Sequence, residues 1–139
     1  MISPLSDTIV VDANAMLSAI IGGNARFVFT DVPLRFVTTE NVWEEVQEYL
    51  PKLALKKKLS VSLLETAANL LPVEVIPETD YAAQLQEAID LIGKRDLDDV
   101  PLLALAIALG CTIWSNDNDF LDLRPGIAVQ TTAELLLKR

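Results

Sequence analysis

Residues 8–23 read TIVVDANAMLSAIIGG, and the pattern within them decides the architecture. Thr8 to Val11 is a β-branched run of the kind a buried strand favours. Ala13 to Ile21 then follows a helical period closed by Gly22 and Gly23, glycine being the residue that takes up a left-handed cap most readily. A buried strand running straight into a helix begins a βαβ unit, and an acid, Asp12, stands at the junction.

The same alternation recurs outward from that stretch. Arg35 to Thr38 reads as a second strand and Glu40 to Leu50 as a helix that Pro51 is expected to stop. Ser62 with Glu65 forms a capping-box pattern opening a helix to Leu71, and Pro72 ends it. Val73 to Ile76 reads as a third strand, followed by an amphipathic helix from Tyr81 to Ile92 closed by Gly93. Asp98 or Asp99 caps a helix running through Leu109 to Gly110. Thr112 to Trp114 and Ile127 to Val129 read as the fourth and fifth strands. Thr131 with Glu134 is a second capping box, opening a terminal helix to Lys138. Strands separated by helices imply βαβ units and hence a mainly parallel sheet covered on both faces. The expectation is an α/β fold, a three-layer α/β/α sandwich with a mainly parallel central sheet of about five strands, in a single domain spanning residues 1–139.

Composition narrows the chemistry. The 139 residues include 20 Asp and Glu against 11 Lys and Arg, for a net charge of -9. That balance argues against a protein that coats nucleic acid by charge alone. There is no histidine, which removes His-ligated zinc and Ser-His or Cys-His catalysis, and the lone Cys111 cannot form an internal disulfide. Cys111 reads as a small buried hydrophobe. The apolar stretch from Thr8 to Gly23 is interrupted by Asp12 and Asn14 and is shorter than the roughly 20 apolar residues that span a bilayer. The first seven residues carry no basic cluster, so no secretory signal is expected, and a cytoplasmic, membrane-free protein is the default.

Chemistry here must rest on carboxylates. Ligands of open α/β sheets sit at the carboxyl ends of the strands. Asp12 follows the first strand, and Asp117 and Asp119 follow the fourth. Asp99 opens a helix behind the sheet, and Glu44 and Glu45 lie in the helix after the second strand. Four or five acids from distant positions are thus expected on one rim. Two unit charges about 4 Å apart repel by roughly 4 kcal/mol at an effective dielectric of 20. A shared proton or a hard cation relieves that repulsion, and all-oxygen ligands suit Mg²⁺ or Mn²⁺. Each acid also has an ordinary explanation. Asp12 and Asp98 or Asp99 can be helix caps, Glu44, Glu45 and Glu48 a solvated helix face, and Asp117 with Asp119 turn formers.

At these residues the chain resembles the PIN domain nucleases, which include the VapC-type toxins of toxin–antitoxin pairs. The resemblance rests on Val10-Val11-Asp12-Ala13-Asn14, on Val42-Trp43-Glu44-Glu45-Val46, on Asp98-Asp99-Val100-Pro101-Leu102-Leu103-Ala104-Leu105-Ala106, and on Ile113-Trp114-Ser115-Asn116-Asp117-Asn118-Asp119-Phe120. These blocks stand in the family's order, from about Thr8 to about Thr132. The resemblance implies a metal-dependent endoribonuclease that prefers single strands. It implies Asp12, Glu45, Asp99 and Asp117 as the four acidic positions, with Asp119 a fifth. Asp12, Asp99, Asp117 and Asp119 would hold Mg²⁺ or Mn²⁺, and Glu45 would orient or deprotonate the attacking water. Asn14 and Ser115 stand where the family has small polar groups near the scissile phosphate, although threonine is commoner than serine at the second. A homodimer and a small antitoxin partner are likewise implied.

Contact with RNA needs a local positive patch. Lys94 and Arg95 lie nearest the expected rim and are the candidates for phosphate contact, while Lys52, Lys56, Lys57 and Lys58 read at least as well as a solvated helix face. No aromatic interleaving suggests a stacking platform, Trp43 and Trp114 fitting core positions better. Two other functions compete. One is a catalytically silent PIN-like protein-interaction module. The other is an acidic phosphotransfer domain, but a phosphatase wants an Asp where Asn14 stands, and a receiver wants an acidic neighbour that Asp12 lacks.

Overall fold

The structure, a computed structural model, describes residues 7–92, 97–116 and 127–139. Strand β1 (Thr8–Val11) is buried at every position, with Val10 and Val11 wholly inaccessible. A strand that shows polar side chains to neither face belongs at the centre of a covered parallel sheet. It pairs in parallel with β2 (Arg35–Thr39) on one side and with β4 (Thr112–Trp114) on the other. Strand β3 (Val73–Ile76) joins beyond β2 and β5 (Val129–Gln130) beyond β4, giving the order β3-β2-β1-β4-β5, parallel throughout. The chain runs outward through β1, β2 and β3 and then crosses back to β4, so the strand order reverses between β1 and β4. A crevice forms at the carboxyl ends of the strands where such a reversal occurs.

Helices cover both faces. On one lie α1 (Ala13–Ile20), α2 (Ala25–Asp31), α3 (Glu40–Lys57), α4 (Val61–Leu70) and the short α7 (Thr132–Leu136), which pack against one another. On the other lie α5 (Leu85–Ile92) and α6 (Val100–Leu109). Helix α6 is apolar all round and buries Leu102 through Ala106, as a helix enclosed by sheet and neighbours must. It stops at Gly110, whose φ of +64° suits glycine. Beneath α2, Phe29, Phe36 and Trp114 meet with ring centroids 4.7 to 5.9 Å apart and tilted planes, a favoured aromatic arrangement. The Trp114 indole N–H and the Asn116 amide both donate to the Thr132 hydroxyl at 3.0 Å, and the Thr132 N–H donates back to Asn116 at 2.9 Å. The end of β4 therefore holds the start of α7. Among the described residues no helix is long and apolar enough to cross a membrane.

Several local expectations are corrected. Pro51 does not end α3, which continues to Lys57. Proline leaves the Gln47 carbonyl without its donor, but Gln47 and Pro51 are both exposed, where water can take that place. Burial of Leu50, Leu53 and Ala54 holds the helix on either side of the proline. The cap of α4 is Ser60, accepting from the Leu63 N–H at 3.4 Å, so Ser62 lies inside the helix and its box with Glu65 does not form. Tyr81 does not begin a helix: 3-10 turns at Glu78–Asp80 and Ala82–Gln84 precede α5. Strand β5 begins at Val129, later than expected, and α2 was not anticipated at all. The Thr131–Glu134 box forms in both directions. Trp114 is buried and Trp43 packs half-buried against the core. Cys111 is half-buried, and burial pushes its thiol up to about 11, which makes it a poor nucleophile at neutral pH.

Two measurements follow from this packing. Pro51→Ala restores a backbone hydrogen bond in mid-helix and is expected to stabilise the protein by about 1–2 kcal/mol, the interior penalty less the entropy proline removes from the unfolded chain. An unchanged urea midpoint would contradict this. Burial, with Glu78 and then Glu40 nearby, pushes the Tyr81 phenol up from 10.0 to about 12. Its folded value lies above its unfolded one, so that contribution is intact below pH 10 and is lost as pH rises from 10 to 12. Tyr81→Phe should flatten the alkaline side of the stability–pH curve.

Candidate active site

The pocket at the carboxyl edge of the sheet measures about 490 Å³, and its walls come from α1, α3 and the start of α6. Asp12 enters it from the end of β1. It is the N-cap of α1, its Oδ1 accepting the Ala15 N–H at 2.9 Å, and its own N–H donates to the Trp114 carbonyl at 3.2 Å. The residue is only 8% exposed. Capping and a place in the pocket thus coexist, because a carboxylate has two oxygens and several lone pairs. Asn14, two residues on, lines the same pocket.

Helix α3 supplies the second wall. Thr39 ends β2 and caps the helix, its hydroxyl accepting the Val42 N–H at 3.3 Å and donating to the Asn41 side chain. The Asn41 amide then donates to the Asp98 carbonyl at 3.2 Å, tying the turn that carries Asp98 and Asp99 to the start of α3. Glu45, Glu48, Tyr49 and Lys52 all face the pocket, and their spacing of three, four and seven residues places them on one helical stripe. Glu44 is exposed and lies off that stripe. Of the adjacent pair, Glu45 is the pocket residue.

Asp98 and Asp99 close the third side from the 3-10 turn Leu97–Asp99. Asp99 occupies the N-cap position of α6 yet makes no capping hydrogen bond with its side chain, so the ordinary explanation does not account for it. Among the described residues five carboxylates and one ammonium line the pocket, with Leu17, Val42 and Leu102 as apolar backing. Oxygen donors of this kind, with no imidazole or thiolate, fit a hard cation such as Mg²⁺ or Mn²⁺. Among the described residues no three acidic or sulfur side chains approach closely enough to ligate one ion together. Asp12 and Asp99 are the metal candidates within them, while Asp117 and Asp119 lie outside the described residues, as do Lys94 and Arg95. Ser115 is described: it is buried at the end of β4, its N–H donates to the Gln130 carbonyl at 3.1 Å, and it does not line the pocket.

Sequence reasoning set aside Glu48 and Lys52 and overlooked Tyr49. Their signal is helical spacing from Glu45. For Lys52 it was obscured by the expectation that α3 stops at Pro51, while Glu48, inside the expected helix, reads as part of a solvated face.

No curated protein matches this chain. Three solved structures share its fold at low identity. A toxin–antitoxin complex from Klebsiella pneumoniae is 19% identical, with 89% of this chain and 97% of that chain covered and a TM-score of 0.65. PAE2754 from Pyrobaculum aerophilum is 15% identical, with 96% and 89% covered and a TM-score of 0.69. VapC20 from Mycobacterium tuberculosis, a sarcin–ricin-loop-cleaving toxin, is 19% identical, with 81% and 92% covered and a TM-score of 0.56. The PIN domain family model matches residues 10–139, and the chain belongs to that family.

Proposed function

We propose that this chain is a metal-dependent endoribonuclease that hydrolyses single-stranded RNA, the toxin of a toxin–antitoxin pair, working in the cytoplasm as a homodimer. The observation that carries the reading is the meeting of Asp12, Glu45 and Asp99 around one pocket where the strand order reverses. Asp12 and Asp99 would hold Mg²⁺ or Mn²⁺ together with Asp117, and Asp119 would assist. When bound, such an ion supplies a water of lowered pKa and positive charge for the phosphodiester oxygens. Glu45 orients the attacking water and takes its proton as the new phosphorus–oxygen bond forms. The bond from phosphorus to the 3′ oxygen breaks, and that oxygen is protonated from solvent, leaving a 5′-phosphate and a 3′-hydroxyl. Asn14 stands in the pocket as a hydrogen-bond donor to a phosphate oxygen. Lys94 and Arg95 supply further phosphate contact, and Ser115 supports the strand end from which Asp117 follows. The antitoxin and the RNA target are supported by what the Klebsiella and Mycobacterium proteins are named for: a toxin–antitoxin complex and a toxin that cleaves the sarcin–ricin loop.

Two outcomes test this reading. Mn²⁺ or Mg²⁺ at 100 times its Kd should stabilise the fold by about 2.7 kcal/mol, read as a melting shift against an EDTA control. An unmoved transition at millimolar cation would count against the metal site. Asp12→Asn should abolish Mn²⁺-dependent cleavage of a single-stranded oligoribonucleotide while the protein still folds, because asparagine caps a helix about as well as aspartate. Asp12→Ala should additionally lose about 1 kcal/mol of stability with the cap. A wild-type rate in Asp12→Asn would refute the assignment.

A further inference from the structure

An acidic protein that takes RNA into a pocket ringed by carboxylates needs contacts other than broad positive charge. Tyr49 and Lys52 stand on the pocket wall about 6 and 10.5 Å along the α3 axis from Glu45, at 1.5 Å per residue. Tyr49 is 38% exposed, an aromatic left open to solvent on a polar rim. Lys52 is the single cation among the described residues lining the pocket. The ion pairs among the described residues, Arg35 with Glu74 and Arg139 with Asp31, leave its ammonium out. Leu50 and Leu53, beside them in sequence, are buried and anchor this stretch of helix, so the two side chains project from a fixed base.

We infer that Tyr49 and Lys52 form a nucleotide-holding wall, the Tyr49 ring stacking on an unpaired base and Lys52 contacting the adjoining phosphate. The inference rests on the endoribonuclease reading and adds to it which part of the substrate is held and why it is single-stranded. A base inside a duplex has both faces covered by its neighbours, whereas an unpaired base can offer one to an aromatic ring. Stacking does not depend on net charge, so it lets a chain at -9 grip RNA without a basic surface. The phosphate contact places the backbone along α3, toward Glu45 at the other end of the stripe.

The test measures binding apart from cleavage. In the Asp12→Asn protein without added metal, fluorescence anisotropy compares labelled hexauridylate with a fully abasic ribose-phosphate hexamer of equal charge. Tyr49→Ala should weaken hexauridylate binding about 5- to 150-fold and leave the abasic hexamer unchanged, and Tyr49→Phe should bind like the parent. Lys52→Ala should weaken both oligomers and reduce the slope of log K against log salt by about 0.7, while Lys57→Ala, outside the pocket, leaves the slope unaltered. Circular dichroism melts show whether each variant is folded. Equal losses on both oligomers for Tyr49→Ala, no loss on either, an unchanged slope for Lys52→Ala, or a parent that binds neither oligomer would each overturn the inference. If wild type with Mn²⁺ cleaves RNA but these variants show none of the pattern, the wall is refuted and the nuclease stands. If the pattern appears and no RNA is cleaved, the nuclease reading fails and the wall stands.

Discussion

The hydrogen bond from the Ala15 N–H to Asp12 Oδ1 joins the two halves of this protein's design. It fixes the start of α1 against the end of the central strand, and it does so with a side chain that also lines the pocket. Strand β1 lies between β2 and β4 and is buried along its whole length, so its end cannot shift without disturbing the sheet. The Asp12 carboxylate is therefore placed by a strand that is paired on both sides and buried throughout. A rigidly held acid keeps its position when a charge is brought beside it, which is what preorganised electrostatics requires.

The second wall is positioned by hydrogen bonds running the other way. Thr39, Asn41 and the Asp98 carbonyl form a chain from the end of β2 to the turn before α6. That chain brings Asp99 to face Glu45 although they stand far apart in sequence. The Thr38 hydroxyl donates to the Val11 carbonyl at 2.8 Å and ties β2 to β1 at the same edge. Three elements are thus cross-braced beneath the pocket while its floor stays apolar.

How much of this could be read from residues alone varied with the physics involved. The strands were legible because β-branched runs have few other uses, and the central β1 and the edge strand β3 stand where their composition put them. PIN membership was legible from four short blocks in order, and the family match bears it out. Helix α2 was not, since Asn24 makes no side-chain cap and the segment carries no periodic apolar stripe that stands out from its surroundings. At Pro51 a local rule lost to tertiary burial on either side. That misjudgement cut Lys52 off the end of the α3 stripe, so an error about secondary structure became an error about the pocket. The choice of Glu45 over Glu44 came from resemblance, and Glu45 is the one of the two that lines the pocket; its chemical role stays a proposal. Asp12 and Asp99, both readable as caps, separate in the structure: one caps and one does not.

The bonds that Thr132 makes to Trp114 and Asn116 have an implication for how the chain is closed off. Asn116 immediately precedes Asp117, and its amide is spoken for at both ends by the first residue of the last helix. The C-terminal helix is thereby a mooring for Asn116, two residues past the end of β4. A chain cut short before Thr132 would lose all three of these bonds, so the final helix braces the end of the strand beside the central one rather than merely trimming the fold.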